Sequence, residues 1–136
     1  VRSSAASDVY KRQVRQYRYI GDNFPWEMPT GNIGPGEAPE QAANRELAEE
    51  AGYHAAHLEP LGWFHTSKGH CDEVAHLFIG HDLHPAEAAP DETEEIERRL
   101  FPFAEVIAMV QDGRIVDSMT IIAVLRAALA QAHPHA

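Results

Sequence analysis

The chain has 136 residues, 44% of them hydrophobic, which suits one ordinary domain with a single core and excludes a chain disordered by composition. No apolar run approaches the roughly 20 residues that cross a bilayer, and the N-terminus has no signal-peptide stretch, so neither a membrane partner nor secretion has support. With 21 Asp and Glu against 11 Lys and Arg, the formal net charge is −10, which argues against nucleic acid as a partner.

Residues 1–13 show no clear apolar period and no initiator Met, and read as a non-native or disordered leader. The domain is placed at 14–131, with a tail at 132–136. Val14, Gln16, Tyr17 and Tyr19 form a β-rich run that Gly21, Asp22 and Asn23 end. Phe24 to Met28 gives a second short strand before Pro29, and Gly31 to Gly36 a turn-rich loop. A helix is predicted from Pro39 to Ala51, with proline suited to its first turn and Gly52 to its stop. Strands follow at about 57–66 and 73–80, then a Pro/Ala/acidic loop over 84–95 and a strand over 96–101. Two helices, near 103–111 and 117–131, flank the break at Asp112-Gly113. The order reads as α/β of the mixed α+β kind, with a mixed sheet, and not as alternating βαβ units.

The helix from Pro39 to Ala51 breaks local rules in an informative way. Ala43, Leu47 and Ala51 recur every four residues and make a thin apolar face. Glu46, Glu49 and Glu50 gather on another, where like charges each cost about 0.2–0.5 kcal/mol. Glu49 and Glu50 also sit in the last turn, where the helix dipole disfavours anions by up to ~1 kcal/mol. Such a cluster can hold cations, and carboxylate oxygens suit Mg²⁺ or Mn²⁺. On spacing alone the alternative is a solvated helix face, since Glu is a good helix former.

The flanking residues extend the pattern. Gly31 is followed by five residues, Glu37, seven residues, and then Arg45-Glu46-Leu47-Ala48-Glu49-Glu50-Ala51-Gly52-Tyr53. This resembles the box of the Nudix hydrolases, G-x5-E-x7-R-E-U-x-E-E-x-G-U with U aliphatic. Tyr53 departs from it as an aromatic, which touches packing rather than chemistry. The resemblance implies a Nudix-type α/β/α sandwich in which the helix glutamates bind divalent metal, Mg²⁺ or Mn²⁺. It implies Glu46 and Glu50 as principal ligands, Glu49 as a further ligand or catalytic carboxylate, and the Thr30 carbonyl as an additional ligand. Gly31, Glu37, Arg45 and Gly52 are implied as structural support of the box.

Three further stretches are similar to the ADP-ribose or nucleotide-sugar pyrophosphatase branch. They are Gln16-Tyr17-Arg18-Tyr19, the run Trp26-Glu27-Met28-Pro29-Thr30-Gly31, and 101–126 with Phe103 and Gly113 to Asp117. The likeness implies Arg18 and Glu27 as substrate-binding residues, and a guanidinium can grip two phosphate oxygens at once. It also implies that the acidic loop Asp91 to Glu95 supplies a general base, Glu92, and a metal carboxylate, Glu94. Without that likeness, the run reads as a solvated turn and Arg18 as a solvent-facing strand residue. Ser67-Lys68-Gly69 departs from the branch's Ser-Pro-Gly. The strands and dimer-forming segment that precede the branch's first motif have no counterpart here. The chain therefore reads as N-terminally truncated, and the family's homodimer is in doubt for it.

The nine histidines show no helical metal spacing; His65, His70 and His76 read as structural or surface residues. Cys71, the sole cysteine, excludes an intrachain disulfide, suits a reducing cytoplasm, and has no activating base. The implied reaction is attack of water on a nucleoside diphosphate linked to another moiety, with ADP-ribose giving AMP and ribose 5-phosphate. The alternatives are another specificity of the same family (a nucleotide sugar, a dinucleotide or a damaged nucleoside triphosphate) or a ligand-sensing domain without turnover.

Overall fold

A computed structural model describes residues 2–4, 10–15, 26–86 and 97–133. In chain order they form β1 (Arg2–Ser4), β2 (Tyr10–Arg15), β3 (Trp26–Glu27), β4 (Thr30–Asn32), α1 (Pro39–Glu46), a π-helical turn (Leu47–Ala51), β5 (Tyr53–His65), β6 (Val74–Pro85), β7 (Glu97–Pro102), α2 (Phe103–Gln111) and α3 (Ser118–Ala132). One sheet runs β4-β1-β6-β5 and the other β3-β2-β7. All pairs are antiparallel except β1 with β6, so the mixed sheet of an α/β domain is what forms.

Strand pairing reaches into 1–13: Arg2–Ser4 pairs with both β4 and β6, and Tyr10–Arg15 pairs with β3 and β7. Weak side-chain periodicity hid strands that backbone pairing supplies. The strands expected over 57–66 and 73–80 are also longer, at Tyr53–His65 and Val74–Pro85. His54 pairs with His84 beyond the expected bounds, while His57 pairs with His81 and Pro60 with Phe78. Proline is tolerated because β5 is an edge strand, where its missing N–H breaks no ladder on the outer side. The register shifts between Pro60 and Gly62, and Gly62 takes the left-handed φ of 91° that such a bulge asks of a glycine.

Three apolar clusters bind the helices to these strands. Leu47 and Ala51 pack with Ala55, Tyr53, Leu58 and Leu83, so the expected apolar face of the first helix is buried as read. Tyr53, the departure from the family pattern, does the packing work of an aliphatic residue there. Ala123 and Ile122 of α3 meet Met28, Leu61, Phe64 and Leu77. Phe101, Val106, Met109, Ile115 and Val124 close the third cluster around α2, with Trp26 edge-on to Phe101.

The helix ends follow local chemistry. Pro39 opens α1, and the Gln41 side chain accepts from the Ala38 N–H at 2.9 Å. Asp117 caps α3 by accepting from the Thr120 N–H at 2.9 Å. Thr120 is fully buried; its hydroxyl donates to the Asp117 carboxylate at 2.7 Å and accepts from the Met28 N–H at 3.2 Å. This one side chain ties α3 to the segment that enters the candidate site at Thr30. Thr120→Val removes the acceptor and leaves the Met28 N–H buried and unpaired. It should lower stability by about 1–3 kcal/mol in urea unfolding with an unchanged m-value, while Thr120→Ser stays close to the parent. A Val variant as stable as the parent would show that the hydroxyl link carries no weight.

Candidate active site

The loop before α1 and the end of that helix converge on one guanidinium. Arg45 has five N–H donors, and each finds an oxygen. Nε donates to Glu37 Oε2 and Nη2 to Glu37 Oε1, both at 2.9 Å. Nη2 also donates to the Asn32 carbonyl at 2.8 Å. Nη1 donates to Glu46 at 2.7 Å and to Glu49 at 3.4 Å. The Glu37 carboxylate in turn accepts from the Gly34 N–H at 2.9 Å. Glu37 and Arg45 thus link the loop before α1 to the end of that helix.

The electrostatics divide the carboxylates. Hydrogen bonds from Arg45, then from the Gly34 N–H, bring the Glu37 pKa down from 4.5 to about 2. Burial pushes Glu46 the other way, above the ordinary carboxylate range, with Arg45 offsetting part of the rise. Glu46 is only 13% exposed, whereas Glu49 is 47% exposed. A Cβ at position 31 would fall inside the Glu46 carboxyl group, so any other residue there would push that carboxylate aside.

The expected gathering of Glu46, Glu49 and Glu50 on one helix face is met in part. The α-helix gives way after Glu46 to a π-helical turn, a feature that recurs at functional sites. Arg45 joins Glu46 and Glu49, but Glu50 turns to the loop, where its Oε2 accepts from the Thr30 N–H at 2.8 Å. Among the described residues, no three Asp, Glu, His or Cys side chains stand together as a metal-holding group. The donors nonetheless fit a hard divalent cation in kind, because all are oxygens. One guanidinium also meets three carboxylates, which leaves the network in excess negative charge. Glu27 lies on β3, partly buried. Arg18, Glu92 and Glu94 lie outside the described residues.

Two participants were not read from the sequence. Arg98, on β7, donates to the Glu50 carbonyl at 2.6 Å and to the Glu49 carbonyl at 2.9 Å. The Asn44 side chain pairs with both backbone groups of Ala55, at 2.8 and 3.1 Å, and so covers the outer edge of β5. Asn44 sits inside the family box at a position its pattern leaves open. A strand arginine carries no local sign of a helix partner. A cavity of about 500 Å³ lined by Glu59, Gly62, Arg126, Leu129 and His133 shares no residue with the glutamate site.

The Glu37 shift makes a test of the support. Glu37 titrates near 4.5 when unfolded and near 2 when folded, so its stabilisation is complete above about pH 4.5 and is lost as pH falls toward 2. The stability gap between the parent and Glu37→Gln, measured by urea unfolding across that range, should shrink with acidification. A gap independent of pH would mean that Glu37 acts by shape alone.

A family model described as NUDIX domain matches residues 10–119. A methanol dehydrogenase activator of Bacillus methanolicus is 37% identical over 124 residues, which are 90% of this chain and 67% of that protein. An ADP-ribose pyrophosphatase of Bacillus subtilis is 34% identical over 113 residues, 82% of this chain and 61% of that one. An ADP-ribose pyrophosphatase of Mycobacterium tuberculosis is 33% identical, with 56% of its length covered. The chain thus spans about three fifths of the length of these pyrophosphatases. The crystal structure of an ADP compounds hydrolase superposes with a TM-score of 0.87 at 22% identity, covering 99% of this chain and 75% of that one, a likeness of fold.

Proposed function

Starting from the fact that the chain belongs to the NUDIX domain family, we propose that it hydrolyses a nucleoside diphosphate linked to another moiety, with ADP-ribose as the leading substrate. The observation that carries this reading is the Arg45 network, which holds an excess of carboxylates beside the loop at Thr30 and Gly31. The two pyrophosphatase relatives support the substrate class.

In this reading Glu46, Glu50 and the Thr30 carbonyl hold Mg²⁺ or Mn²⁺, with Glu49 as a further carboxylate. The bound metal supplies charge neutralisation of the diphosphate and a lower pKa for the attacking water. The residues do the rest. Arg45 orients Glu46 and Glu49 by bonding one oxygen of each. Glu37 keeps Arg45 itself in place. Arg18 grips a phosphate, Glu27 contacts the substrate, Glu94 adds a metal carboxylate and Glu92 takes the water proton. Water adds to one phosphorus as the bridging P–O bond breaks, which turns ADP-ribose into AMP and ribose 5-phosphate.

A second reading has the domain act through a partner protein rather than on a free diphosphate, and the activator relative favours it. A panel of ADP-ribose, nucleotide sugars, dinucleotides and oxidised nucleoside triphosphates with Mg²⁺ separates the two. Turnover of an ADP-linked compound is expected, and inertness on the whole panel would favour the second reading. Glu50→Gln removes ligand charge at nearly constant volume and should lower kcat at least ~10²-fold with the fold retained. Activity should also vanish with a chelator and return with Mg²⁺ or Mn²⁺. Retention of activity after exhaustive chelation, or within a few-fold in the Gln variant, would remove the metal from the mechanism.

A further inference from the structure

The glutamate helix ends in an unusual way. Its last turn is π-helical, and Gly52 stops it at φ 78°. The Glu49 and Glu50 carbonyls are both taken by a single planar group from β7, the Arg98 guanidinium, through Nη2 and Nε. The peptide plane carrying the Glu49 carbonyl and the plane carrying the Glu50 carbonyl flank one atom, the Cα of Glu50. Each plane is rigid, so holding both fixes the two dihedrals at Glu50 and with them the direction of its Cα–Cβ bond. The far end of the same side chain is held by the Thr30 N–H. Glu50 is therefore clamped at its backbone from β7 and at its carboxylate from β4.

Gly52 belongs to the same device. A Cβ there would stand 3.3 Å from Arg98 Nη1, so the glycine that permits the left-handed stop also leaves room for the guanidinium. The cation sits at the negative end of the helix, where it opposes the penalty that Glu49 and Glu50 incur in a last turn.

We infer that Arg98 is a positioning residue for metal binding, and that it acts by fixing the backbone at Glu50 rather than by its charge. This deepens the proposed function and rests on Glu50 holding divalent metal there. A cation near the site would by charge alone weaken metal binding, so loss of Arg98 separates the two effects by sign. Lysine keeps the charge but cannot span two carbonyls with a rigid fork.

The test is a Mn²⁺ titration of the parent, Arg98→Lys, Arg98→Gln and Arg99→Gln. Free Mn²⁺ is read by electron paramagnetic resonance, at a temperature where circular dichroism shows each protein folded. Both Arg98 variants should bind Mn²⁺ about tenfold more weakly, as is usual when a group that orients a ligand is removed. The metal concentration for half-maximal hydrolysis should rise in step, and Arg99→Gln should match the parent. A Lys variant that titrates like the parent would overturn the inference, because the fork would then be dispensable. So would variants that lose thermal stability but bind Mn²⁺ unchanged, since Arg98 would then be a helix cap only. If the Gln variant does not fold, the Lys variant decides. A parent that binds no Mn²⁺, or binds it equally after Glu50→Gln, would sink the metal reading itself and this inference with it.

Discussion

Arg45 sits where five hydrogen bonds to oxygen can be made at once, and the candidate site is arranged around that saturation. Three of its acceptors are carboxylates and one is the Asn32 carbonyl, so the guanidinium fastens the Gly31–Glu37 loop onto the helix that follows it. A guanidinium with every donor engaged has one favourable orientation, which its acceptors inherit. Glu37 is drawn far into its charged form by this contact, while burial raises the pKa of Glu46 and the same guanidinium offsets part of the rise. Such a network is poised to accept added positive charge, because its single cation is outnumbered.

The packing beneath explains why the network can lie so close to the sheet. The buried face of the helix is built mainly from alanines, at positions 42, 43, 48 and 51, with Leu47 as its one large member. Small residues let the helix backbone approach β5, and the short Asn44 amide can then reach Ala55. That amide satisfies an edge strand which would otherwise present free backbone groups. On the far side, Thr120 fastens the Met28 segment to α3. The loop carrying Thr30 and Gly31 is thereby fixed from both directions, by the helix it precedes and by the helix that closes the domain.

The helix terminus shows how tertiary contacts alter local penalties. Glutamates in a last turn are unfavourable for an isolated helix, and the sequence alone suggests only that a cation compensates. Arg98 supplies one such cation, aimed at carbonyls rather than carboxylates.

Much of this was legible in the order of residues. The Gly31 to Tyr53 stretch identified the loop, the helix and its apolar stripe of Ala43, Leu47 and Ala51, because helical periodicity and fixed spacings are local properties, while the pairing of Glu37 with Arg45 came only with the structure. The two closing helices were legible for the same reason, with the Asp112-Gly113 break between them. What only the tertiary structure decided is non-local. The strands at Arg2–Ser4 and Tyr10–Arg15, and the extension of β5 back to Tyr53 and of β6 on to Pro85, depend on partners far along the chain. The turn of Glu50 toward Thr30 needed the π-helical distortion, which no residue type announces. Arg98 lies 48 residues from the carbonyl it grips, and a sequence records a side chain's reach but not what the fold brings within it.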